Sequence, residues 1–311
     1  MNYFSYDEMY KKALEVFENT KAPNPINYNL IKDALKKRPK NAHKGTCGSL
    51  TVCAGSIGLT GAACMACLSA LRSGCALVTL CCADTLQDIF EIKLTEVMTK
   101  GVKSKNGIIL SDAFSDIEEK LVSSDALLFG PGLSWHSEIK LLLGKLLISS
   151  KKPMVIDADG LNVLSEDMSV LKKASCPVIL TPHVGEFARM TGYDKEYIIN
   201  NREKLSKEFC QKYGVILILK SHATVVSDGN NVYQNILGNP GMAVGGSGDV
   251  LSGLVASFLA QGNSPLTSAL AGVYIHSLAA DMAAFETGEY SLLPSDMIKY
   301  IIFAIKHSVQ H

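Results

Sequence analysis

The chain has 311 residues, of which 47% are hydrophobic and 19% are charged, and its 30 basic residues balance 30 acidic ones. This length and composition suit one large α/β domain with a sizeable core. The formal net charge of zero argues against a nucleic-acid-binding or anionic-membrane-binding surface, because such a surface needs an excess of basic residues.

The sequence predicts neither a targeting segment nor a membrane span. Met1–Lys12 carries four charged residues and lacks the apolar region of a signal peptide, and Arg72 interrupts the longest apolar run. Of the nine cysteines, Cys64 and Cys67 have CxxC spacing, but they lie in an Ala-rich stretch without a second ligand pair. We therefore expect a cytoplasmic protein whose cysteines are buried thiols.

Residues 1–40 are predicted to form an N-terminal helical extension. Two short polar helices, at about Tyr6–Asn19 and Tyr28–Arg38, are separated by two prolines. We expect this extension to lie at the periphery of the main domain, which spans residues 41–311.

The main domain begins with a strand, a Gly-rich turn, a small-residue helix and a second strand. The strands cover Leu50–Ala54 and Ala76–Cys81, and the helix ends near Ser73. This order is typical of a parallel βαβ unit. The turn at Gly55–Ala63 lacks the GxGxxG order, which disfavours a Rossmann-type dinucleotide site.

Four further apolar strands each end in a polar or Gly-rich turn. In an open parallel sheet such turns gather at the carboxyl edge, where ligands bind. The predicted strands are Asp125–Gly130, Met154–Asp157, Val178–Thr181 and Val215–Leu219, followed by turns at Gly130–Gly132, Asp157–Asn162, Thr181–Glu186 and Lys220–Thr224.

The remaining predicted elements are a hairpin and several helices. The hairpin pairs Thr224–Ser227 with Val232–Asn235. The helices cover His136–Leu147, a segment from Ser247, Pro265–Phe285 and Ser295–Ser308. Together the elements predict a single α/β domain with a mostly parallel central sheet flanked by helices on both faces.

The loop Gly245, Gly246, Ser247 and Gly248 is nearly free of side chains and lies directly before an apolar helix. The first N–H groups of a helix have no intrahelical partner, and the helix dipole favours negative charge there. Without Cβ atoms in the way, a phosphate can approach these amides closely. We therefore predict that these four residues form an anion hole.

Asp249 follows this loop in the first helical turn. It could be an ordinary capping or first-turn carboxylate, since Asp is favoured there in any protein. A carboxylate beside a bound phosphate is costly unless it has a chemical task. We therefore interpret Asp249 as the base that accepts a proton from a substrate hydroxyl during phosphoryl transfer.

Several other polar residues lie at the predicted ligand edge. His183 follows a proline that fixes the backbone, which favours substrate contact, whereas Glu186 fits either a site residue or an ordinary first-turn carboxylate. Asp157 and Asp159 could hold Mg²⁺ through water, but a turn followed by a helix cap explains their spacing better. Lys220 fits a phosphate contact or a solvated lysine.

These blocks together resemble the ADP/ATP-dependent NAD(P)H-hydrate dehydratase family of the ribokinase-like superfamily. The likeness runs from about Ala42 to Ser308 in the family's order. Asn-Pro-Gly-Met-Ala followed by Gly-Gly-Ser-Gly-Asp is specific to this branch, whereas Gly-x-Gly-Asp alone would indicate only a ribokinase-like protein. The matching stretches are His43–Ser49, Ala54–Ala62, Gly130–Leu133, Asp157–Asn162, Thr181–Phe187 and Asn239–Gly253.

The resemblance implies roles for individual residues. Those expected to contact the substrate are Ala62, Gly132, His183 and Asp249. Those expected to bind the adenine nucleotide are Lys220, Ser221, His222, Ala223, Thr224 and Gly248, and Asn162 and Glu186 are further candidates. The family usually has glycine after the lysine, so Ser221 is a departure in the nucleotide loop.

The resemblance also implies an activity. The family uses ADP or ATP, with Mg²⁺, to dehydrate the S-epimer of C6-hydrated NADH or NADPH by phosphorylating the ring hydroxyl and eliminating phosphate. We expect a separate epimerase chain and a homo-oligomer, a tetramer or an octamer. The alternatives are a vitamin-precursor kinase of the same superfamily and a non-catalytic nucleotide-binding protein.

Overall fold

The computed structural model describes residues 5–18, 20–35 and 37–310, and its central feature is a nine-stranded β-sheet. The strands are β1 Ser49–Cys53, β2 Leu77–Ala83, β3 Met98–Val102, β4 Ser104–Lys105, β5 Ile108–Ile109, β6 Ala126–Phe129, β7 Met154–Ile156, β8 Val178–Leu180, β9 Ile216–Leu219, β10 Val225–Ser227 and β11 Val232–Gln234. The sheet has the order β11-β10-β9-β8-β7-β6-β1-β2-β3, and β4 and β5 pair separately. The strands from β9 to β3 are parallel, and β10 and β11 are antiparallel.

The sheet core is a row of apolar side chains that runs across neighbouring strands. Val52 is in register with Leu128, Leu128 with Val155, and Val155 with Ile179, and all four are buried. Strands that are covered on both faces have continuous apolar runs of this kind. For this reason the predicted strands agree with the observed ones to within one or two residues.

The chain order creates a switch point between β1 and β6. From β1 the chain moves outward to β2 and β3, and it then returns to β6 and moves the other way to β9. The loops after β1 and β6 therefore lead in opposite directions and leave a crevice at the carboxyl edge of the sheet.

Helices cover both faces of the sheet. They are α1 Tyr6–Leu14, α2 Tyr28–Ile31, α3 Thr60–Arg72, α4 Gln87–Lys93, α5 Phe114–Val122, α6 Ser137–Ser149, α7 Asp159–Leu164, α8 Val184–Thr191, α9 Lys195–Tyr213, α10 Ser247–Ala260, α11 Pro265–Thr287 and α12 Pro294–Gln310. One layer contains α3, α10 and α11, with α10 against β1, β6 and β7, and the other contains α6 to α9, with α9 against β9 and β10. The predicted α/β fold with two helical layers is confirmed.

Helix α10 is held against α3 by close packing at a glycine. A Cβ on Gly253 would lie 2.0 Å from Ser69 Oγ and 2.2 Å from the Ala66 carbonyl oxygen. Four residues further along α10, the Ser257 hydroxyl donates a 2.9 Å hydrogen bond to the Ala70 carbonyl. These contacts fix the position of α10 and therefore of its N-terminus.

The N-terminal segment is part of the main core, so the expectation of a peripheral extension was wrong. Tyr6 stacks on Phe303 of α12 at 3.7 Å between ring centroids, and the Ile26 amide donates a 2.9 Å hydrogen bond to the Gln234 carbonyl. The segment has a polar sequence, but six of its apolar residues face inward. Those buried with the core are Met9, Tyr10, Ala13, Ile26, Ile31 and Leu35.

The two N-terminal helices are shorter than predicted. The α-helical part of each ends at Leu14 and Ile31, and each continues as a 3₁₀ helix to Glu18 and Leu35. The predicted ranges included Asn19 and Lys36, which lie outside the described residues.

Helix α11 differs from the expectation that no apolar run is long enough to span a membrane. Its 23 residues are long and apolar enough to cross a membrane by length and composition, but 83% of its most apolar window is buried inside the fold. It has the burial of a core helix.

The cysteines lie in the core as expected. Eight of the nine are buried, and Cys176 is partly exposed. Burial raises the pKa of the Cys81 thiol to about 12, so this thiol stays protonated and behaves as an apolar group.

Candidate active site

The crevice between β1 and β6 brings Ala62 and Gly132 together. The Gly55 amide donates a 2.9 Å hydrogen bond to the Pro131 carbonyl, which ties the two loops to each other. Gly132 has a φ of +63°, and a Cβ there would lie 2.8 Å from the Leu59 carbonyl oxygen and 3.1 Å from Ala62 Cβ. Both the backbone and the space therefore require glycine at position 132.

The N-terminus of α10 is the bare main-chain site that the sequence predicts. Gly246 is the N-cap, has a φ of +99° and offers no capping side chain. A Cβ on Gly245 would meet no heavy atom of the described residues within 4 Å. Ser247 is buried, and its Oγ lies 3.4 Å from His276 Nε2 in the core. The Ser247 amide donates a 3.3 Å hydrogen bond to the Val244 carbonyl, so the amides of this loop without a main-chain acceptor among the described residues are those of its glycines.

Lys220 lies above this helix terminus. A Cβ on Gly248 would lie 3.2 Å from Lys220 Nζ, and the ammonium forms a 3.0 Å ion pair with Asp157, whose side chain is 1% exposed. The Thr181 hydroxyl donates a 2.7 Å hydrogen bond to the same carboxylate oxygen. Lys220 is thus a buried, anchored cation beside the anion loop, and the interpretation as a solvated lysine is wrong.

Neighbouring charges keep Lys220 protonated. Burial alone would lower its pKa, but the carboxylates of Asp157 and Glu186 raise the pKa above the ordinary lysine value. A positive charge at the first turn of a helix faces the positive end of the helix dipole. The ammonium of Lys220 and the positive end of the α10 dipole therefore lie together beside the anion loop, within a set of carboxylates that includes Asp157 and Glu186.

Asp249 occupies the first turn of α10 but does not cap the helix, because the N-cap is Gly246. Burial, followed by repulsion from Asp157, raises the pKa of Asp249 to about 7, against an opposing effect of Lys220. A carboxylate with a pKa near neutrality can accept a proton and release it again. Asp249 is therefore a first-turn carboxylate that does not cap the helix and that can exchange a proton near neutral pH.

His183 and Glu186 begin α8 as a reciprocal capping pair. The His183 Nδ1 accepts hydrogen bonds from the Gly185 amide at 2.9 Å and the Glu186 amide at 3.1 Å, and the Glu186 carboxylate accepts one from the His183 amide at 2.7 Å. The structural role considered for Glu186 is therefore present, and burial raises the pKa of this carboxyl.

The same bonds fix the tautomer of His183. Because Nδ1 accepts two hydrogen bonds, the neutral ring carries its proton on Nε2. Partial burial and the nearby Lys220 lower the pKa of His183, which keeps the ring neutral. The remaining part of the side chain, 55%, is exposed to solvent. His183 is thus a neutral N–H donor at the rim of the crevice.

The turn after β9 is closed by its own hydroxyl groups. The Thr224 hydroxyl accepts from the Ser221 amide at 3.3 Å and donates to the Ser221 carbonyl at 3.0 Å, while Ser221 Oγ accepts from the Ala223 amide at 3.2 Å. The Lys220 amide bonds to the Pro182 carbonyl at 2.8 Å, which joins this turn to the one after β8. Ser221 therefore has a defined task in the turn, although it departs from glycine.

A cavity of about 330 Å³, counting its open mouth, lies beside this turn. It is lined by Val184, Ile199, Arg202, Leu219, Ser221 and His222. The predicted nucleotide residues Ser221 and His222 thus face open space between the turn and α9.

Asn162 belongs to a hydrogen-bonded chain on the other side of His183. Its amide group donates to Asp159 at 3.1 Å and accepts from the Arg189 guanidinium at 2.7 Å. Asp159 also accepts from the Ser134 amide at 2.8 Å. The expectation that an acidic residue caps α7 was wrong, since the N-cap is Ala158, whose side chain has no polar atom.

Sequence reasoning missed Arg189 and Trp135 in this region. The Arg189 guanidinium lies 5.9 Å from the centre of the Trp135 ring. The available signal was that the chain's only tryptophan follows the Gly130–Leu133 turn by two residues.

Comparison with known proteins assigns the chain to a family. A family model described as NAD(P)H-hydrate dehydratase matches residues 50–302. The chain belongs to this family. The resemblance inferred from the motifs is confirmed, and so is its ribokinase-like fold.

Two curated members of the NAD(P)H-hydrate dehydratase family illustrate the similarity. The bifunctional NAD(P)H-hydrate repair enzyme Nnr of Moorella thermoacetica is 37% identical over 276 residues, covering 88% of this chain and 52% of that protein. The ADP-dependent (S)-NAD(P)H-hydrate dehydratase of Neisseria meningitidis is 35% identical over 258 residues, covering 82% of this chain and 83% of that protein. The chain thus spans about half the length of the bifunctional relatives that it matches.

A solved member of the dehydratase family has the same architecture. The ADP/ATP-dependent NAD(P)H-hydrate dehydratase of Bacillus subtilis, co-crystallised with ATP and Mg²⁺, superimposes with a TM-score of 0.80 at 27% identity. The match covers 92% of this chain and 99% of the Bacillus chain.

Proposed function

We propose that this protein uses an adenine nucleotide to dehydrate the S-epimer of C6-hydrated NADH or NADPH and so repairs the damaged cofactor. The observation that carries the proposal is the placement of Asp249 and Lys220 at the N-terminus of α10, a helix that packs on β6 and on α3, which contains Ala62. A base, a fixed cation and free amides are the groups that phosphoryl transfer needs.

In the first step, the hydroxyl oxygen on C6 attacks the terminal phosphorus of the nucleotide. Asp249 accepts the hydroxyl proton, and the bond from that phosphorus to the bridging oxygen breaks. The amides of Gly246 and Gly248 and the Lys220 ammonium stabilise the charge on the transferred group. Because such transition states are loose, positioning of the hydroxyl by Asp249 matters more than its basicity.

In the second step, the new phosphate ester leaves. The lone pair of the ring nitrogen expels phosphate from C6, and the C5 proton then passes to the departing phosphate, which restores the C5–C6 double bond. The departing phosphate lies where Lys220 and the α10 amides bind anions. His183, as a neutral Nε2–H donor at the crevice rim, is placed to hold the substrate by a hydrogen bond.

The residues present fit a magnesium ion bound mainly by the nucleotide. Among the described residues, no group of three or more His, Cys, Asp or Glu side chains is arranged to hold a metal. Mg²⁺ usually takes one or two carboxylates together with phosphates and water, and Asp157 and Glu186 are the nearby acids. When bound, the ion would neutralise charge on the donor phosphates.

One assay tests the proposal. The purified protein is incubated with hydrated NADH, Mg²⁺ and either ADP or ATP, and we expect the absorbance of reduced nicotinamide to return. The name of the Neisseria relative supports ADP as donor, and that of the Bacillus relative supports either nucleotide. Formation of a stable phosphorylated alcohol without reduced nicotinamide would support a small-molecule kinase instead.

We further propose a cytoplasmic homo-oligomer, a tetramer or an octamer, that works together with an epimerase acting on the same substrate. The balanced charge of the chain supports the location, and the names of the bifunctional relatives support a linked second activity. Exposed apolar residues such as Ile92, 84% exposed, and Val122, 78% exposed, support subunit contacts. Light scattering after gel filtration measures the subunit number.

A further inference from the structure

Trp135 is a large aromatic side chain, and 53% of it is exposed. It follows the Gly130–Leu133 turn, which forms one wall of the crevice. Tryptophan side chains bury most of their surface in folded proteins, and exposed ones are enriched where ligands or partners bind. The position of this ring therefore calls for a binding role.

The ring is held in one orientation by polar contacts. Its Nε1–H donates a hydrogen bond to the Glu166 carboxylate, which also forms a 3.0 Å ion pair with Lys140. The hydrogen bond from Trp135 lowers the pKa of Glu166, so the acceptor is ionised. The Arg189 guanidinium lies 5.9 Å from the ring centre, within the range of a cation–π contact. A ring fixed in this way loses little rotamer entropy when a ligand stacks on it.

The backbone before Trp135 is fixed to the crevice itself. Ser134 has a φ of +73°, an unusual value for a residue with a side chain. Its amide donates to Asp159 at 2.8 Å, and its hydroxyl lies 2.8 Å from that of Ser56, which donates to the Gly132 carbonyl at 2.8 Å. These bonds tie the direction of Trp135 to the position of Gly132.

We propose that Trp135 is the stacking platform for the adenine ring of the dinucleotide substrate, with Arg189 supporting the ring. This inference rests on the proposed function. The hydrated nicotinamide must reach Asp249 at the N-terminus of α10, so the adenosine half of the substrate extends away from the reacting hydroxyl. Adenine is planar and stacks readily on aromatic side chains, whereas the hydrated nicotinamide ring has an sp³ carbon at the reacting position.

The test compares a whole substrate with a truncated one. Hydrated NADH contains the adenosine half, and hydrated reduced nicotinamide mononucleotide lacks it but presents the same hydroxyl. For Trp135→Leu we expect the KM for hydrated NADH to rise about 10- to 100-fold, the range for loss of one base–aromatic stack. The kcat for hydrated NADH and both constants for the mononucleotide hydrate should stay within about twofold, because the platform touches neither reacting group.

Two further variants serve as controls. Trp135→Phe keeps an aromatic face and should recover most of the affinity for hydrated NADH. Tyr193→Leu removes an aromatic ring of similar exposure, 47%, at the far end of α8, and should leave the KM for both substrates unchanged.

Three outcomes would overturn the inference. An unchanged KM for hydrated NADH in Trp135→Leu would show that adenine does not use this ring. An equal loss with both substrates would show that Trp135 only shapes the turn. Failure of Trp135→Phe to recover affinity would argue against stacking.

The inference is separable from the proposed function. If the wild-type protein dehydrates neither hydrate, the proposed function fails. In that case, calorimetric titration with NADPH and with reduced nicotinamide mononucleotide still tests the platform. Trp135→Leu should weaken binding of NADPH alone by about 10- to 100-fold, and equal affinities of wild type and variant for NADPH would overturn the inference.

Discussion

Replacing Asp249 by asparagine should make the protein more stable at neutral and alkaline pH while abolishing its turnover. Asp249 has a folded-state pKa of about 7 because of burial and repulsion from Asp157, whereas an unfolded aspartate titrates near pH 3.9, so the difference is about three units. At about 1.36 kcal/mol per unit, ionised Asp249 would cost the folded state up to about 4 kcal/mol. Because the side chain is partly exposed and solvent screens part of this cost, we expect Asp249→Asn to gain about 1–2 kcal/mol of stability at pH 8.

The difference in stability between the wild type and Asp249→Asn should depend on pH. Below about pH 4 both the folded and the unfolded state carry protonated Asp249, so the wild type and Asp249→Asn should be equally stable. Between about pH 4 and pH 7 the unfolded chain releases the proton first, and the wild type loses stability relative to the variant. Above about pH 7 the difference should stay constant. Urea unfolding at pH 5, 6.5 and 8 measures it.

Activity measured on the same samples tests the second half of the prediction. Removing a general base lowers turnover by about 10²- to 10⁴-fold, and we expect nucleotide binding by calorimetry to persist. If Asp249→Asn is less stable than the wild type at pH 8, the reasoning about burial is refuted. If it keeps near-normal turnover, the reasoning about catalysis is refuted.

Asp228→Asn is the matched control. Burial opposes ionisation of Asp228, but hydrogen bonds from the Asn231 and Asn230 amides lower its pKa overall. Ionised Asp228 therefore stabilises the fold, and the stabilisation is lost only as the pH falls through this lowered pKa. Asp228→Asn should be less stable than the wild type, by an amount that does not change between pH 5 and 8.

Three further predictions concern the same site. Because Asp249 must be ionised to accept a proton, kcat/KM should rise with pH up to about 7 and then level off; a profile that falls over this range would exclude it as the base. Gly246→Ala places a Cβ on a residue with a φ of +99° and only 3.1 Å from Pro294. We therefore expect this variant to lose about 1–3 kcal/mol of folding stability and to have impaired turnover. Gly144→Ala is the control, because Gly144 lies in a helix and a Cβ there would meet no described residue. This variant should gain about 0.5–1 kcal/mol of folding stability, and thermal unfolding compares Gly246→Ala with Gly144→Ala. Lys220→Met leaves the buried Asp157 unpaired and should cost about 3–5 kcal/mol in denaturant unfolding. Adding Asp157→Asn should restore stability but not turnover, and recovery of both would place Lys220 outside the chemistry.

The sequence predicted the buried strands well and the edge of the sheet poorly. The strand predicted at Leu50–Ala54 is Ser49–Cys53, because a strand covered on both faces is an uninterrupted apolar run. No strand was predicted at Met98–Val102, which contains Lys100 and Gly101 and leaves Met98 exposed. An edge strand has less need of apolar residues, so it carries a weaker signal.

The candidate site divides in a similar way. The bare N-terminus of α10 could be predicted because its residues are neighbours in the chain. The pair of Lys220 and Asp157 could not, because 63 residues separate them and the pair forms only once β7, β8 and β9 lie side by side. For His183 the sequence indicated substrate contact, but the two amide bonds that fix its tautomer depend on the observed cap geometry.

The hydrogen bonds between the segment at Asn24–Ile26 and Gln234 of β11 have a consequence for biosynthesis. The N-terminal segment leaves the ribosome early, but its partner strand is made about 200 residues later, or some 10–40 s at ordinary translation rates. During that interval Ile26 and Ile31, fully buried in the finished protein, have nothing to cover them. Until the last third of the chain has been synthesised, these exposed apolar residues favour aggregation, and a chaperone would prevent it. Because the pairing of the N-terminal segment with β11 joins residues so distant in sequence, we expect this step of folding to be slow.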